Sequence, residues 1–546
     1  MLRYAGGALS GRGGSDGEQR RDQVRAGSRT RFSTSLLYVV SAFVLAGFFA
    51  VRNVSSWPAR ISYPGEQSYE GCALAETARL AEGIPIYAPP SPQGFAGATY
   101  GPLFFLVGSH LINPNYPSYF PVRLLSALAI LGCAAGCGLL AFWLTRSYVA
   151  ACLSPLVFLA YGIVTFHGVA ALSDNVALFL FFAGFLVAYR FRNSLAILFA
   201  IPLITLGFFY KQQFIAGTLA VMAYLLLERQ YVRLAQFAGL LAASGVGVFA
   251  FFQWVVFPKQ EFWRHFLLYQ TTLLSWHQLI SGIINFTLMF AAPVLLGFEY
   301  LRGNPNRMVR CYLIFAVLLG LLTIGKETAF IQYFYESILL ISVLIPALLV
   351  SSLAQRRGAL EVVVLMGIAL LIGQWYTPPP PNATDLARYN GVQGFFRHSF
   401  PPRARALGFR GGDLVQAGLD TPFADLFQTE LLARRGVVAD KELLGRIRDR
   451  WFTVIVLDFD LERERDPQWL DMYLTPAARY AIEQNYQVAD KIEIPVPERL
   501  NPQDYFYIYV PKSVGFDNQA AAVNADPRTV GTEPGLRPDL RQRLKR

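Results

Sequence analysis

Ionisable residues stand at the edges of long apolar runs throughout this sequence. They occur as Glu66 and Glu70 in GEQSYEG, His167 and Asp174 around GVAALSDNVALF, Lys211 and Gln212 in FFYKQQF, and Lys326, Tyr333 and Glu336 in GKETAFIQYFYES. An ionisable group beside lipid is costly unless it is paired, solvated or bound to a ligand. A carboxylate can take a proton from an acceptor hydroxyl and a lysine can hold a phosphate, so this set favours group transfer from a phosphate-bearing donor.

These residues also have structural interpretations that the sequence leaves open. Glu66 and Glu70 lie four positions apart and share one helix face, which solvent alone could satisfy. Asp174 can cap the helix that follows it. Lys211 and Lys326 can snorkel at the membrane edge, although lysines that retain topology belong on the cytoplasmic side and these two are predicted on the other.

No cofactor pattern accompanies these residues. The sequence has no His or Cys pair at ligand spacing, no Asp-x-Asp in the loops before the C-terminal region, and no glycine-rich nucleotide loop. We therefore expect no cofactor, and metal dependence has no support in the sequence. The five cysteines are too few and too scattered for a disulfide framework.

The composition is that of a polytopic membrane protein. Hydrophobic residues make up 54% of the 546 residues and charged residues 16%, whereas soluble domains carry roughly 25% charged residues. The net charge of +11 comes from arginines beside apolar runs. The positive-inside rule explains that placement, so we expect membrane lipid and no nucleic acid as a partner.

The apolar runs predict about eleven membrane spans at about 20 residues per span. They are placed at 32–51, 121–145, 148–165, 175–189, 194–209, 212–228, 234–257, 280–300, 309–324, 333–351 and 359–376. The long loop at 52–120 contains YGPLFFLVGSHLI, which is too short to cross a bilayer and is expected to lie at the interface or re-enter.

Arginines set the predicted orientation. Residues 1–31 are rich in Gly and Ser and hold seven arginines, which favours a disordered cytoplasmic leader. Every turn that should then be cytoplasmic carries arginine, as at Arg146, Arg190, Arg192, Arg229, Arg233, Arg302, Arg307, Arg310, Arg356 and Arg357. An odd number of spans places the C-terminal region on the opposite, external side.

The C-terminal region has the pattern of a small α/β domain. It opens with four prolines at 378–381, a stiff linker, and contains the strand-like runs WFTVIVLDFDL and DYFYIYVP. We predict a transmembrane catalytic domain at 32–377, an external domain at 378–513 and a disordered tail at 514–546.

Four segments, in order, resemble the GT-C superfamily of integral-membrane glycosyltransferases. The likeness is strongest to the bacterial branch related to protein O-mannosyltransferases and to the aminoarabinose and galacturonic acid transferases of lipid A and lipopolysaccharide core. The segments are YEGCALAETARLAEGIPIY with YGPLFFL, ALSDNVALFLFF, YKQQF and GKETAFIQYFYES. Gln332 stands where Asn is usual in the family, and Glu70 stands where many members have Asp.

The resemblance implies an α-helical GT-C fold and an inverting transfer of sugar from a polyprenyl-phosphate donor to a glycan, lipid or protein hydroxyl. It places the general base at Glu70, with Glu66 as the alternative register, and gives Asp174 an orienting role. The leaving phosphate would be held by Lys211 and Lys326. Substrate-binding roles also fall on Gln212, Tyr333, Glu336, His167 and Tyr100. The implied location is the external face of a bacterial inner membrane.

Other functions remain open at this point. A transporter or lipid-linked sugar flippase should show inverted repeats or broken midplane helices, which the spans do not obviously contain. A non-catalytic scaffold would tolerate replacement of the loop carboxylates. An O-antigen polymerase would transfer a whole oligosaccharide from a diphosphate lipid.

Overall fold

Each of the eleven predicted spans overlaps at least one helix of the computed structural model. It describes residues 15–512 except 68, 99, 271–272, 305, 328, 356–357, 376, 439–440, 462–469, 471–472 and 494–504. The helices of the membrane part are α1 (Ser15–Ser55), α2 (Trp57–Ser62), α3 (Gly71–Ala81), α4 (Pro102–Leu111), α5 (Phe120–Thr145), α6 (Tyr148–Ala160), α7 (Gly162–His167), α8 (Asp174–Arg190), α9 (Ala200–Tyr210), α10 (Ala216–Leu227), α11 (Tyr231–Phe251), α12 (Trp276–Gly303), α13 (Arg307–Thr323), α14 (Tyr335–Gln355) and α15 (Ala359–Gly373).

Among the described residues, five helical segments are long and apolar enough to cross a bilayer by length and composition. These are Thr34–Ser62, Phe120–Thr145, Tyr231–Val256, Trp276–Gly303 and Ile331–Gln355. The remaining predicted spans are shorter helices. Several of them pack against one another, with α8 against α5 and α9, and α10 against α13. The structure therefore gives a helical bundle, and the short α4 packs within it against α3, α5 and α9.

The first helix starts earlier than the sequence pattern predicted. α1 begins at Ser15 and includes residues 15–31, which the sequence analysis assigned to a disordered leader. The run EQRRDQVR consists largely of good helix formers, which favours extending the apolar helix towards the N-terminus. Residues 1–14 of the predicted leader, and the predicted tail at 514–546, lie outside the described residues.

Three of the arginine-rich turns, those after α8, after α10 and before α13, meet at one end of the bundle. Arg307, at the start of α13, pairs with Glu228, at the end of α10, over 3.2 Å. Asn306 donates to the Tyr189 hydroxyl near the end of α8 at 2.7 Å. The helix ends that carry Asp174 and Lys211 lie at the opposite end, because α8 and α9 run in opposite directions away from these turns.

The C-terminal domain is a four-stranded sheet with helices on both faces. Its elements are α16 (Ala383–Ser399), β1 (Ala406–Gly408), α17 (Gly411–Gln416), α18 (Leu426–Arg434), α19 (Lys441–Arg448), β2 (Val454–Leu457), α20 (Pro476–Asn485), β3 (Tyr486–Glu493) and β4 (Tyr505–Pro511). The strand order is β1-β2-β4-β3, with β1 and β2 parallel and the other pairs antiparallel.

Alternate residues of β2 enter two separate cores. Ile455 and Leu457 pack in one apolar cluster, while Val454 and Val456 pack in the other. A strand that is buried on both faces has a continuous apolar sequence. The two strands that the sequence predicted are confirmed as β2 and β4. The sequence analysis did not predict β3, because this edge strand is largely exposed and carries charged residues.

Candidate functional site

An ion pair between Asp174 and Lys211 lies where α8 begins and α9 ends. Both carboxylate oxygens of Asp174 are 2.8 Å from Lys211 Nζ. The Asp174 side chain is 3% exposed and the Lys211 side chain 20% exposed, so the lysine is the more accessible partner. The N-terminus of α8 adds its dipole to the stabilisation of the Asp174 anion.

Tyr100 covers this ion pair. The Lys211 ammonium lies 5.5 Å from the centroid of the Tyr100 ring, within the range of a cation–π contact. The neighbouring Gly101 donates its N–H to the carbonyl of Tyr210 at 3.0 Å. This bond fastens the start of α4 to the end of α9, so the backbone itself brings Tyr100 to Lys211.

A second lysine approaches from the segment between α13 and α14. Lys326 is half-buried, burial lowers its pKa below the ordinary 10.5, and the charge of Lys211 lowers its pKa further. The charge of Asp174 also reaches Tyr333 on the short helix Ile331–Phe334. Asp174, Lys211, Lys326, Tyr100 and Tyr333 therefore share one electrostatic environment at one end of the bundle.

His167 lies near this group and is packed by aromatic rings. The ring is 5% exposed and contacts Phe166 and Phe330, with ring centroids 4.7 and 5.1 Å away. The backbone carbonyl of His167 accepts a hydrogen bond from the Asn175 side chain at 2.9 Å. This packing agrees with the structural interpretation of His167 more closely than with substrate binding.

Glu70 is fully buried, and its carboxylate is held by several contacts. Its side chain is 0% exposed and forms an ion pair with Arg123 of α5. The carboxylate also accepts the backbone N–H of Ala171 at 2.5 Å and that of Gln67 at 3.1 Å. The guanidinium and the two amides together occupy both oxygens of this buried carboxylate.

Structural contacts thus occupy Glu70, and the general-base role that the resemblance implied for it stays a prediction. Arg123 uses its remaining donors on the carbonyls of Arg60, Tyr63 and Gly65. The pair ties the first loop to α5 as a structural unit. Sequence reasoning missed Arg123, although a charged residue near the start of a predicted span was a usable signal.

Two further residues that were predicted to bind substrate are occupied by structural contacts. Glu336 accepts the backbone N–H groups of Ala216 and Gly217 at 3.4 and 3.2 Å, and so caps the start of α10. Gln212 donates to the carbonyl of Phe266 at 3.1 Å.

Glu66, the alternative base, belongs to the contact with the C-terminal domain. Its carboxylate lies 3.4 Å from Arg410 Nε, and Arg410 lies 3.1 Å from Asp413 of α17. Burial raises the pKa of Glu66 to about 7, Arg410 opposes the rise and Asp413 adds to it. Among the described residues, no group of three or more His, Cys, Asp or Glu side chains is placed to hold a metal ion.

Comparisons with known proteins identify the fold. No protein-family model and no curated protein matches this chain. The structure of ArnT from Cupriavidus metallidurans bound to undecaprenyl phosphate is 13% identical, covers 87% of this chain and 99% of its own, and gives a TM-score of 0.53. The apo ArnT structure is 12% identical, covers 85% and 97%, and gives a TM-score of 0.50.

An oligosaccharyltransferase from Archaeoglobus fulgidus, AglB, also matches, with 13% identity, coverage of 87% and 74%, and a TM-score of 0.43. The two ArnT comparisons are the ones that define the fold. This chain shares the fold of the two ArnT structures, as the sequence resemblance implied.

Proposed function

We propose that this chain transfers a sugar from a polyprenyl-phosphate donor to a hydroxyl acceptor at the external face of a bacterial inner membrane. The observation that carries the proposal is the Asp174–Lys211 pair, which Tyr100 covers and Lys326 approaches, at one end of a GT-C bundle. The fold neighbour ArnT was solved with undecaprenyl phosphate bound, which supports a lipid phosphate as the donor class.

The charges of this site suit a phosphate. With Lys211 and Lys326 protonated and Asp174 ionised, the three side chains carry one positive charge in excess. A phosphodiester donor brings one negative charge, and the leaving phosphate monoester brings a second. The two lysines therefore stabilise the departing group more strongly than the bound donor, which is the condition for lowering a transition-state barrier.

Donor binding also releases the base. Lys211 is the exposed partner of the ion pair, so a donor phosphate can compete with Asp174 for its ammonium. The freed Asp174 carboxylate then takes the proton of the acceptor hydroxyl. The acceptor oxygen forms a bond to the anomeric carbon while the bond from that carbon to the phosphate oxygen breaks, which inverts the configuration. Asp174 thus takes the role that the resemblance gave to Glu70.

The test is a glycan and glycolipid mass profile of cells that lack this protein and are complemented with variants. The parent should restore one missing sugar, and Asp174→Asn should not, at equal membrane abundance. Asp449→Asn is the control, because Asp449 is an exposed carboxylate of the C-terminal domain that directly follows α19. An unchanged profile in the deletion strain, or full rescue by Asp174→Asn, would overturn the proposal. Movement of a sugar lipid across liposomes without any covalent change would favour a flippase.

A further inference from the structure

The segment from Phe95 to Gly101, which carries Tyr100, is held between the two domains. Phe95 donates its N–H to the carbonyl of Pro422 at 2.9 Å, and Ala424 donates to the carbonyl of Phe95 at 3.2 Å. At the other end, Gly101 is bonded to Tyr210. The position of Tyr100 thus depends on contacts from both the C-terminal domain and the helix bundle.

The backbone within this segment is strained at Ala98. This residue is fully buried and has a φ of +44°, in the left-handed region. A residue with a Cβ pays roughly 1–2 kcal/mol in that region, and the conformation persists only where neighbouring groups enforce it. Some neighbouring group must therefore hold the turn at Ala98.

Glu76 of α3 is that group. One oxygen of its carboxylate accepts the Ala98 N–H at 2.6 Å. A backbone amide held by a buried carboxylate is a strong, charge-assisted hydrogen bond, so it can hold the turn in this conformation. Glu76 is 1% exposed, and its second oxygen has no hydrogen-bond partner among the described residues.

The C-terminal domain packs against the same turn through Asp425 and Gln428. A Cβ at Gly97 would meet Gln428 Cβ at 2.9 Å and Asp425 Cβ at 3.6 Å, so this position has no room for a side chain. Asp425 accepts the Gln428 N–H at 2.9 Å, which caps α18 beside the turn. Burial raises the pKa of Glu76, and the charge of Asp425 raises it further.

We propose that Glu76 is a positioning residue: it holds the turn at Gly97 and Ala98 so that Tyr100 lies over Lys211, and the docked C-terminal domain completes this support. The inference rests on the proposed function in one respect, namely that Lys211 binds the donor phosphate. Tyr100 orients the lysine for that phosphate, and Glu76 acts through Tyr100 without touching the substrate.

The experiment uses the full chain in nanodiscs, with undecaprenyl phosphate as the binding probe and sugar transfer as the second measurement. Glu76→Ala should raise the Kd for undecaprenyl phosphate, and the KM for the donor, by roughly tenfold, with about a twofold change in kcat. Glu76→Gln keeps an acceptor for the Ala98 N–H and should stay within about threefold of the parent. Tyr100→Leu should match Glu76→Ala, and the double variant should be no worse than either.

A further variant distinguishes a local effect on the turn from a general loss of folding in Glu76→Ala. Glycine tolerates the left-handed region, so Ala98→Gly should restore binding in a Glu76→Ala background. Hydrogen exchange at residues 95–101 should rise in Glu76→Ala whatever the ligand is. Inactivity of folded Glu76→Gln, additive losses in the double variant, or unchanged exchange would each overturn the inference. If the parent chain binds no undecaprenyl phosphate, the proposed function is wrong. The hydrogen-exchange measurement then still tests whether Glu76 holds the turn.

Discussion

Asp174 and Lys211 neutralise each other, and this explains how a buried carboxylate is accommodated at this end of the bundle. Their separation of 2.8 Å satisfies both charges within one contact. A charged group at a membrane edge needs such a partner. Lys326 has no ion pair at or below 4.0 Å within the described residues, and it is therefore the cation most available to an incoming phosphate.

Replacement of Lys326 tests whether this lysine binds the donor phosphate. Lys326→Met should raise the KM for the donor by roughly 10- to 100-fold, because a charge-assisted hydrogen bond contributes about 1.5–3 kcal/mol. Because the pKa of Lys326 is lowered, the affinity of the parent should fall on the alkaline side at a pH below 10.5. Lys259→Met, at an exposed lysine between α11 and α12, is the control. Equal losses in both variants would contradict a specific role for Lys326.

For Glu70 we expect an effect on stability, because it forms a buried ion pair with Arg123. Glu70→Gln leaves the Arg123 guanidinium buried without its counterion, which should lower the free energy of unfolding by about 3 kcal/mol. The measurement is thermal or denaturant unfolding in detergent. Adding Arg123→Gln removes the orphaned charge, so the double variant should be more stable than the sum of the single losses. A stable, folded and inactive Glu70→Gln would return the base assignment to Glu70.

At the scale of elements, the contact between α4 and α9 decides where Tyr100 lies. Gly101 has no Cβ, and a Cβ there would collide with the carbonyl groups of Phe209 and Tyr210. Gly101→Ala should therefore push α4 away from α9, reduce stability by about 1–3 kcal/mol and lower donor affinity. The measurements are unfolding and donor KM. Gly239→Ala, in α11 where a Cβ would meet nothing within 4 Å, should be neutral or stabilising.

The helices were largely predictable from the sequence, and the contacts between them were not. Apolar length located α5 and α14 to within a few residues, because burial in lipid or in a bundle leaves a long uninterrupted pattern. The run of β-branched and aromatic residues located β2, which is buried on both faces. The edge strand β3 gave no such signal, because its side chains face solvent as often as the core.

The sequence predicted which residues belong to the candidate site, but it did not predict which side chains they contact. Asp174, Lys211 and Lys326 stood out because charge at the edge of an apolar run is costly. The partners of Glu66 and Glu70 lie far away along the chain, since Arg410 is 344 residues from Glu66 and Arg123 is 53 residues from Glu70. Local spacing contains no information about such contacts, so these two pairings could not be predicted without the fold.

At the scale of the whole molecule, a buried charge cluster joins the first loop to the C-terminal domain. Arg410 contacts both Glu66 and Asp413, and it also donates to the Glu66 carbonyl at 3.3 Å. Gln416 donates to the carbonyls of Pro64 and Pro117 at 2.9 and 3.3 Å. Two carboxylates here share one guanidinium, so this part of the interface carries negative charge when both are ionised.

The excess of negative charge at this cluster makes docking of the C-terminal domain depend on pH. The pKa of Glu66 is about 7 in the folded chain against an ordinary 4.5, so the folded state binds more protons between these values. Its contribution to stability is therefore fully present below about 4.5 and is lost as the pH rises through about 7. Protease cleavage of the linker at 377–382 and hydrogen exchange at 410–416 should both increase over that window.

Glu66→Gln should flatten this profile and keep the domain docked at pH 8, because it removes the ionisation while preserving the shape of the side chain. Glu82→Gln is the matched control, since Glu82 is a more exposed carboxylate that pairs with Arg403 across the same two domains. A parent profile that is flat between pH 5 and pH 8, or one that Glu66→Gln leaves unchanged, would show that the cluster is not the group that titrates. Because the same docked domain supports the turn that carries Tyr100, donor affinity in the parent should weaken over the same pH range, and Glu66→Gln should remove that loss as well.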